Sequence, residues 1–417
     1  MLTELLRIGL VTLAMIGIAA GRLPRLRMNR ASIALAFAAL LIATGCIELE
    51  SALGAIDVGT IVLLLAMMLV VANLRIAGFF LAAGARILST ARSPRILLAL
   101  VVGASGFLSA LFLNDTICLM LTPLAVELTL RSGRNPVPYL IALAVSANIG
   151  SCATLIGNPQ NMLIGAASGI SFGRFLAMLG PPSIFGLLLS WFVVVAAFPL
   201  EFRKNGLPLN AGGAPSFPPE ALDRRLAAKS LISALIMVVL LFAGSPPPLA
   251  ALVAASILLF TTRISPERVF AEVDFGLLVF FAGLFIITRS ISDAPFFARA
   301  VAAARPAMTT GGPTALALLS GGTALASNLV SNVPTVMLMT PLVSSFAEPE
   351  RAYLVLAMAS TYAGNLTLLG SVANLIVAER AKAHGVELSF GAYLKVGLPV
   401  TLLTLLAGTA WLAIIKA

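Results

Sequence analysis

The sequence predicts an all-α integral membrane protein made of two inverted-topology repeats, with about ten transmembrane helices, two re-entrant hairpins and broken helices. Three observations predict it: charge is scarce, long apolar runs recur, and four motifs return in the same order in the second half of the chain. Of 417 residues, 59% are hydrophobic and 11% charged, and the mean hydropathy is +1.04. A soluble domain carries about 25% charged residues to solvate its surface, so this chain cannot coat a globule. Transmembrane β-strands alternate polar and apolar residues over about 10 positions, a pattern these runs lack. The net charge of +10 does not indicate nucleic-acid binding, because the basic residues lie mainly in loops between apolar spans.

Taken in order, the first half offers spans near 3–21, 31–48 and 57–74, then an amphipathic stretch at 76–92 that reads as an interfacial helix. Leu5 to Ala20 reads as a retained helix, since no small-residue cleavage site follows it. Two apolar arms, 94–113 and 116–130, flank a polar tip. A span begins at 137 and dissolves into Gly, Ser and Asn over 148–161, and a last span covers 175–199. The second half repeats this order at 228–244, 247–262, 274–290, 294–305 (amphipathic again), 312–346, 351–365 and 392–415. The organisation is therefore an N-terminal repeat, 1–199, with a hairpin at 94–131. A Pro-rich, charged cytoplasmic linker follows at 200–227, then a C-terminal repeat, 228–417, with a hairpin at 312–346. Cys46, Cys118 and Cys152 all fall in apolar segments and suggest no disulfide framework. His384 stands on a loop as a solvated residue.

The duplication is visible residue by residue. NDTICLMLTP (Asn114 to Pro123) aligns on NVPTVMLMTP (Asn332 to Pro341), and TLIGNPQNMLI (Thr154 to Ile164) on TLLGSVANLIV (Thr367 to Val377). SFGRFL from Ser171 matches SFGAYL from Ser389, and Pro182 opens the last span of the first half as Pro399 does that of the second. If each hairpin is re-entrant, each half crosses five times and the halves are inverted. Fully crossing arms would instead give twelve crossings and parallel halves. With both termini on the non-cytoplasmic side of the inner membrane, all but seven of the 27 Lys and Arg residues are cytoplasmic. The seven are Arg7, Arg174, Arg289, Arg299, Arg305, Arg351 and Lys416, a bias that obeys the positive-inside rule.

Unpaired backbone is tolerated at membrane depth only where protein or a water-filled cavity satisfies it. Four segments read as such breaks: the hairpin tips around Asn114-Asp115-Thr116 and Ser331-Asn332-Val333-Pro334-Thr335, and the span interruptions 148–161 and 364–374. The candidate substrate-binding residues are Asn114, Thr116, Asn148, Ser151, Asn158, Asn161, Ser331, Asn332, Thr335, Asn365, Thr367 and Asn374. Helix N-termini at such breaks offer N–H groups to ligand oxygens, and unwound carbonyls serve cations. Asp115 is the carboxylate placed near the midplane. Ionisable groups there cost about 2.5–3.5 kcal/mol and mark proton or ion pathways, so Asp115 is the candidate coupling residue, for H⁺ or for Na⁺. Glu127, Asp57 and Asp274 fall near span ends, within reach of water. The sequence suggests no catalytic residues, no metal-ligand spacing and no cofactor beyond a coupling H⁺ or Na⁺. It has no Walker A pattern, so ATP coupling would need another subunit.

ALFLNDTICLMLTP, SNVPTVMLMTP and ANIGSCATLIGNPQNMLIG resemble the ion transporter superfamily over essentially the whole chain. The likeness is nearest to its arsenite-permease and silicon-efflux members and to bacterial anion transporters. Citrate transporters, Na⁺/H⁺ antiporters and divalent anion symporters belong to the same superfamily. The resemblance implies a membrane transporter rather than an enzyme, with a scaffold-and-transport division, commonly a homodimer. It also implies Asn114, Asp115, Thr116, Ser331, Asn332 and Thr335 as tip ligands. The tips depart from the Ser-Asn-Thr signature of divalent-anion symporters. The expectation is a proton-coupled exporter of a small oxyanion or metalloid hydroxide such as arsenite or silicic acid. The alternative is a Na⁺/H⁺ antiporter or a Na⁺-coupled di- or tricarboxylate carrier. A small molecule or ion and the lipid bilayer are the expected partners.

Overall fold

The computed structural model describes residues 2–21, 27–203, 222–260, 264–299, 302 and 312–415. Most of the linker, the end of the 294–305 stretch, and Arg22, Arg25, Lys204, Arg263, Arg305 and Lys416 lie outside these residues. The first half runs α1 (Leu2–Ala20), α2 (Arg30–Ala43), α3 (Leu49–Gly54), α4 (Val58–Ile76), α5 (Phe79–Leu88), α6 (Pro94–Leu111), α7 (Asn114–Arg131), α8 (Val137–Ser151), α9 (Pro159–Ser168), α10 (Phe172–Ala197) and α11 (Pro199–Arg203). The second runs α12 (Arg224–Phe242), α13 (Pro247–Leu259), α14 (Pro266–Phe270), α15 (Phe275–Ser292), α16 (Gly312–Val330), α17 (Asn332–Val343), α18 (Pro349–Ala363), α19 (Val372–Ala383) and α20 (Phe390–Ile414). Among the described residues, α1, α4, α6, α10, α12, α15 and α20 are long and apolar enough to cross a bilayer.

Helix starts are set by side-chain caps, which satisfy amides that have no partner inside the helix. Asn29 and Ser32 form a reciprocal capping box on α2, and Ser93 caps α6, with Pro94 at its first position. Asp57 and Asp274 cap α4 and α15 through the amides of Thr60 and Leu277, at 2.6 and 3.0 Å. The short helices α3 and α14 were not legible as spans. The spans expected at 31–48 and 247–262 are also shorter than their apolar runs. α2 has 14 residues and α13 has 13, roughly 20 Å at 1.5 Å per residue, against about 30 Å of hydrocarbon. At least one end of each therefore stops inside the slab.

The broken helices form the centre. Every residue from Pro138 to Ser151 of α8 is buried, as is every residue from Ala352 to Ala363 of α18, as expected of helices apolar on all sides. The outer surface is hydrocarbon-facing. On α10, Ile184, Leu188 and Phe192 form one exposed stripe at every fourth position, and Leu398, Leu402 and Leu406 repeat it on α20. Such a surface requires lipid around it.

The packing separates two groups of helices. One contains α1, α2, α4, α12, α13 and α15, joined through the pairs α2–α15, α4–α13, α1–α2 and α12–α13. The other contains the hairpins α6–α7 and α16–α17, the broken pairs α8–α9 and α18–α19, and α10 against α20. The two halves are related by pairwise correspondence: α2–α15 mirrors α13–α4, α6–α8 mirrors α16–α18, and α7–α19 mirrors α17–α9. This pattern also establishes inversion. α8, which precedes the first break, packs along α19, which follows the second; α9 likewise packs along α18. Parallel halves would instead align α8 with α18 and α9 with α19. The first hairpin turns at the first break. α6 is long enough to cross, yet it ends where Thr154 Oγ1 donates to Ala110 O and the Asn114 amide donates to Gly157 O. Its tip thus stops at the first break, with all of α9 beyond it.

Candidate functional site

The breaks are held open by amides, and the two halves use the same bonds. Asn161 Nδ2 donates to the carbonyls of Ser151 (3.2 Å) and Thr154 (2.8 Å). At equivalent positions, Asn374 Nδ2 donates to Gly364 O (2.8 Å) and Thr367 O (3.1 Å). Across the pseudo-two-fold relation, Asn158 Nδ2 donates to Thr361 Oγ1 (3.3 Å) and Ser371 Oγ to Asn148 Oδ1 (3.2 Å). Asn148 is the centre of this network. It accepts from Asn114 Nδ2 at 3.0 Å and donates to Asn365 Oδ1 at 2.9 Å and Asn374 Oδ1 at 3.1 Å. An orphaned buried polar group costs about 1–3 kcal/mol, so these bonds are the condition for unwound backbone at this depth.

Above that floor lies a cavity of about 370 Å³. Its wall consists largely of N-terminal turns from six helices: Asn29, Arg30 and Ala31 of α2, Asn114 and Asp115 of α7, Pro159 and Gln160 of α9, Asp274, Gly276 and Leu277 at α15, Ser331 and Asn332 at α17, and Ser371 and Val372 at α19. Helix N-termini carry free N–H groups and partial positive charge, so six together make a site for oxygen ligands. Asp115, in the first turn of α7, supplies an acceptor. Asn332 supplies another: its Oδ1 is buried without a donor among the described residues, while its amide nitrogen leans over Gly364.

The expected site residues fall into two layers. Asn114, Asp115, Ser331 and Asn332 line the cavity together. Asn148, Ser151, Asn158, Asn161, Asn365 and Asn374 lie beneath it, in the network that holds the breaks. Thr335 is buried and donates to Ser331 O at 2.9 Å within its own helix. Thr367 contributes its carbonyl to Asn374, and Thr116 is half-buried beside Asp115. The two tips differ in backbone. Leu113 before α7 is relaxed at φ −60°, whereas Ser331 before α17 has φ 84° and ψ 158°, a region almost reserved for glycine that costs on the order of 1–3 kcal/mol. Among the described residues Ser331 is the one non-glycine with positive φ.

Two charged cavity residues were not expected: the sequence places Arg30 in a loop and Asp274 at a water-accessible span end, yet both line the cavity, together with Gln160 and Ser371 of the two breaks. The electrostatic influence of Arg30 and Asp274 reaches Asp115. The signal for Asp274 was available, because Asp-x-Gly opens both α4 (Asp57 to Gly59) and α15 (Asp274 to Gly276). The signal for Arg30 was the shortness of the apolar run after it.

Comparison with known proteins agrees with this architecture. The model of the family described as Citrate transporter (CitMHS) matches residues 11–352. The silicon efflux transporter LSI3 of Oryza sativa subsp. japonica is 31% identical, covering 92% of each chain. An arsB-named transporter of Dictyostelium discoideum is 26% identical over 92% of this chain and 87% of its own. Among solved structures, the YdaH transporter of Alcanivorax borkumensis superposes with a TM-score of 0.63 at 16% identity, covering 99% of this chain and 97% of its own.

Proposed function

The chain belongs to the citrate transporter family, and on that premise we propose that it is a proton-coupled carrier that exports a small oxyanion or neutral metalloid hydroxide, of the arsenite or silicic-acid kind, by alternating access. The observation that carries this reading is the convergence of six helix N-termini on a cavity containing Asp115. The N–H groups and the Asn114 and Gln160 amides can donate to ligand oxygens. The Asp115 carboxylate and Asn332 Oδ1 can accept from ligand hydroxyls. A weak oxyacid offers both kinds of group on a compact centre. A proton bound on Asp115 takes up acceptor capacity that a cargo hydroxyl would use, so cargo and H⁺ compete for the carboxylate, as their exchange requires. A tricarboxylate would meet two carboxylates and, among the described residues, the guanidinium of Arg30. The donor-rich wall also favours H⁺ over Na⁺, whose sites are built from carbonyl oxygens and helix C-terminal ends. The names of the silicon-efflux and arsB-named relatives support the same cargo class.

The test is flux into proteoliposomes under an imposed pH gradient, with arsenite, silicate, phosphate, sulfate, citrate and Na⁺ offered in turn. Saturable arsenite or silicate flux that follows the gradient is expected. Citrate flux, or flux indifferent to the gradient, would overturn the assignment.

The charge distribution supports an inner-membrane orientation with both termini outside the cytoplasm. The ends of α1, α2 and α15 that border the cavity then face the cytoplasm, as loading for export requires. Cys46, Cys118 and Cys152 are free and buried, so a cysteine replacing exposed Leu222 can be probed without removing them. It is expected to react with a membrane-impermeant maleimide in opened cells and not in intact ones; labelling of intact cells reverses the orientation.

A further inference from the structure

Arg30 and Asp115 line the same cavity, at the seam between the two helix groups. Arg30 opens α2 in the group with α15, and Asp115 opens α7 in the group with the hairpins. The Arg30 side chain is half-buried and packs over Gly21, where an added methyl would sit 3.6 Å from its Nε. Gly21 ends α1 with φ +76°, and its amide bonds back to Gly17 O and Ile18 O. The guanidinium thus lies near the negative end of one helix while its charge reaches Asp115. Among the described residues, the charged groups that line the cavity with Asp115 are Arg30 on α2 and Asp274 at α15. Cys118, one turn along α7, is a neighbouring titratable group. Among the described residues no ion pair within 4.0 Å joins Arg30 to either carboxylate. The cation is positioned near Asp115 without being locked to it.

We propose that Arg30 is the resident counter-cation of Asp115, filling the role that a bound Na⁺ fills in cation-coupled carriers, so that the protein works without Na⁺. This rests on the reading of Asp115 as the coupling carboxylate. A carboxylate in a cavity walled by N–H donors has no ring of carbonyls with which to share a metal cation, and a tethered guanidinium removes the need for one. Arginine suits the role because it is always charged and less strongly hydrated than an ammonium. When cargo hydroxyls occupy Asp115, Arg30 balances the ionised carboxylate. When a proton occupies it, the carboxylate of Asp274 still lines the same cavity as Arg30.

The experiment measures melting of the purified protein in detergent at pH 8 in NaCl or choline chloride of equal ionic strength, without cargo. The parent protein is expected to melt at the same temperature in both salts. Arg30→Gln is expected to gain a saturable upward shift of about 2 °C or more in Na⁺, the scale set by one ligand well above its dissociation constant. The double variant Arg30→Gln, Asp115→Asn is expected to lose that shift. Arg30→Lys, which keeps the charge, should behave as the parent and covers the case in which Arg30→Gln fails to fold. A Na⁺ shift in the parent, a Na⁺ shift in Arg30→Lys, or none in folded Arg30→Gln each overturns the proposal. Because no cargo is present, these outcomes are separate from the flux panel: lack of arsenite and silicate flux would remove the exporter reading, whereas the melting series decides the role of Arg30.

Discussion

Asp115→Asn is expected to abolish pH-driven flux by about two orders of magnitude, the scale on which a positioned proton-transfer group acts, while leaving a folded protein. The substitution is nearly isosteric. Asp115 is half-buried in the cavity wall, and among the described residues no hydrogen bond from its side chain ties the tip together, in contrast to Asn114, which anchors the tip to Asn148. Replacing an ionisable group at such depth by an amide removes the cost of holding charge there. The melting temperature is therefore expected to stay level or rise while transport is lost. Proteoliposome flux measured beside the melting curve checks both halves of the statement. An Asp115→Asn protein with full, gradient-dependent flux would falsify the coupling role. A protein that loses flux only by unfolding would show that the residue is structural.

Gly150→Ala carries the largest expected effect on stability. α6 and α8 pack backbone against backbone, so a methyl group on Gly150 would come within 2.0 Å of Gly106 O and 2.5 Å of its carbonyl carbon. No flexible side chain can move aside there. Separating the helices would pull Thr154 from Ala110 O and Asn114 from Asn148 as well. A loss of roughly 3 kcal/mol or more follows from overpacking combined with broken buried bonds. Gly103 lies on α6, one turn from Gly106, with nothing within 4 Å of an added methyl, so Gly103→Ala is the matched control and should melt with the parent. The comparison uses thermal midpoints and size-exclusion profiles in detergent; a Gly150→Ala midpoint within a degree of the control would refute the close packing. The second repeat has Ala324 and Ala363 at the corresponding places, and there Asn328 bridges to Ala363 O at 3.1 Å. At this point the first hairpin meets its broken helix backbone to backbone, and the second meets it through a side chain.

The broad architecture was legible because membrane helices must bury their own backbone polarity, which makes apolar runs and their interruptions visible one residue at a time. Matching tips and breaks disclosed the duplication. Charge asymmetry together with the re-entrant reading implied inversion, and the packing of α8 on α19 bears the inversion out. The cavity-lining Asn114, Asp115, Ser331 and Asn332 were legible for the same reason: polar residues in an apolar run must be accounted for. What the sequence could not separate was the floor from the wall. Asn161 and Asn158 are alike in type and setting, and only their geometry shows that they bond broken backbone. Arg30 and Asp274 were missed for the opposite reason. Residues at span ends look solvated, and only the shortness of α2 and the approach of α15 turn them toward the cavity.

The paired bonds of Asn161 and Asn374 have a mechanical consequence. Each break carries bonds of its own, made within its own half, so the carbonyls of Ser151 and Thr154, like those of Gly364 and Thr367, are covered without help from the neighbouring hairpin tip. A shuttle that exposes its load first to one aqueous phase and then to the other must not leave raw main chain in fat at any stage of the journey. If the breaks move with the hairpins in such a shuttle, these bonds travel with them, and the cost of passage falls on the cargo-facing surface, where the protein can select what it carries.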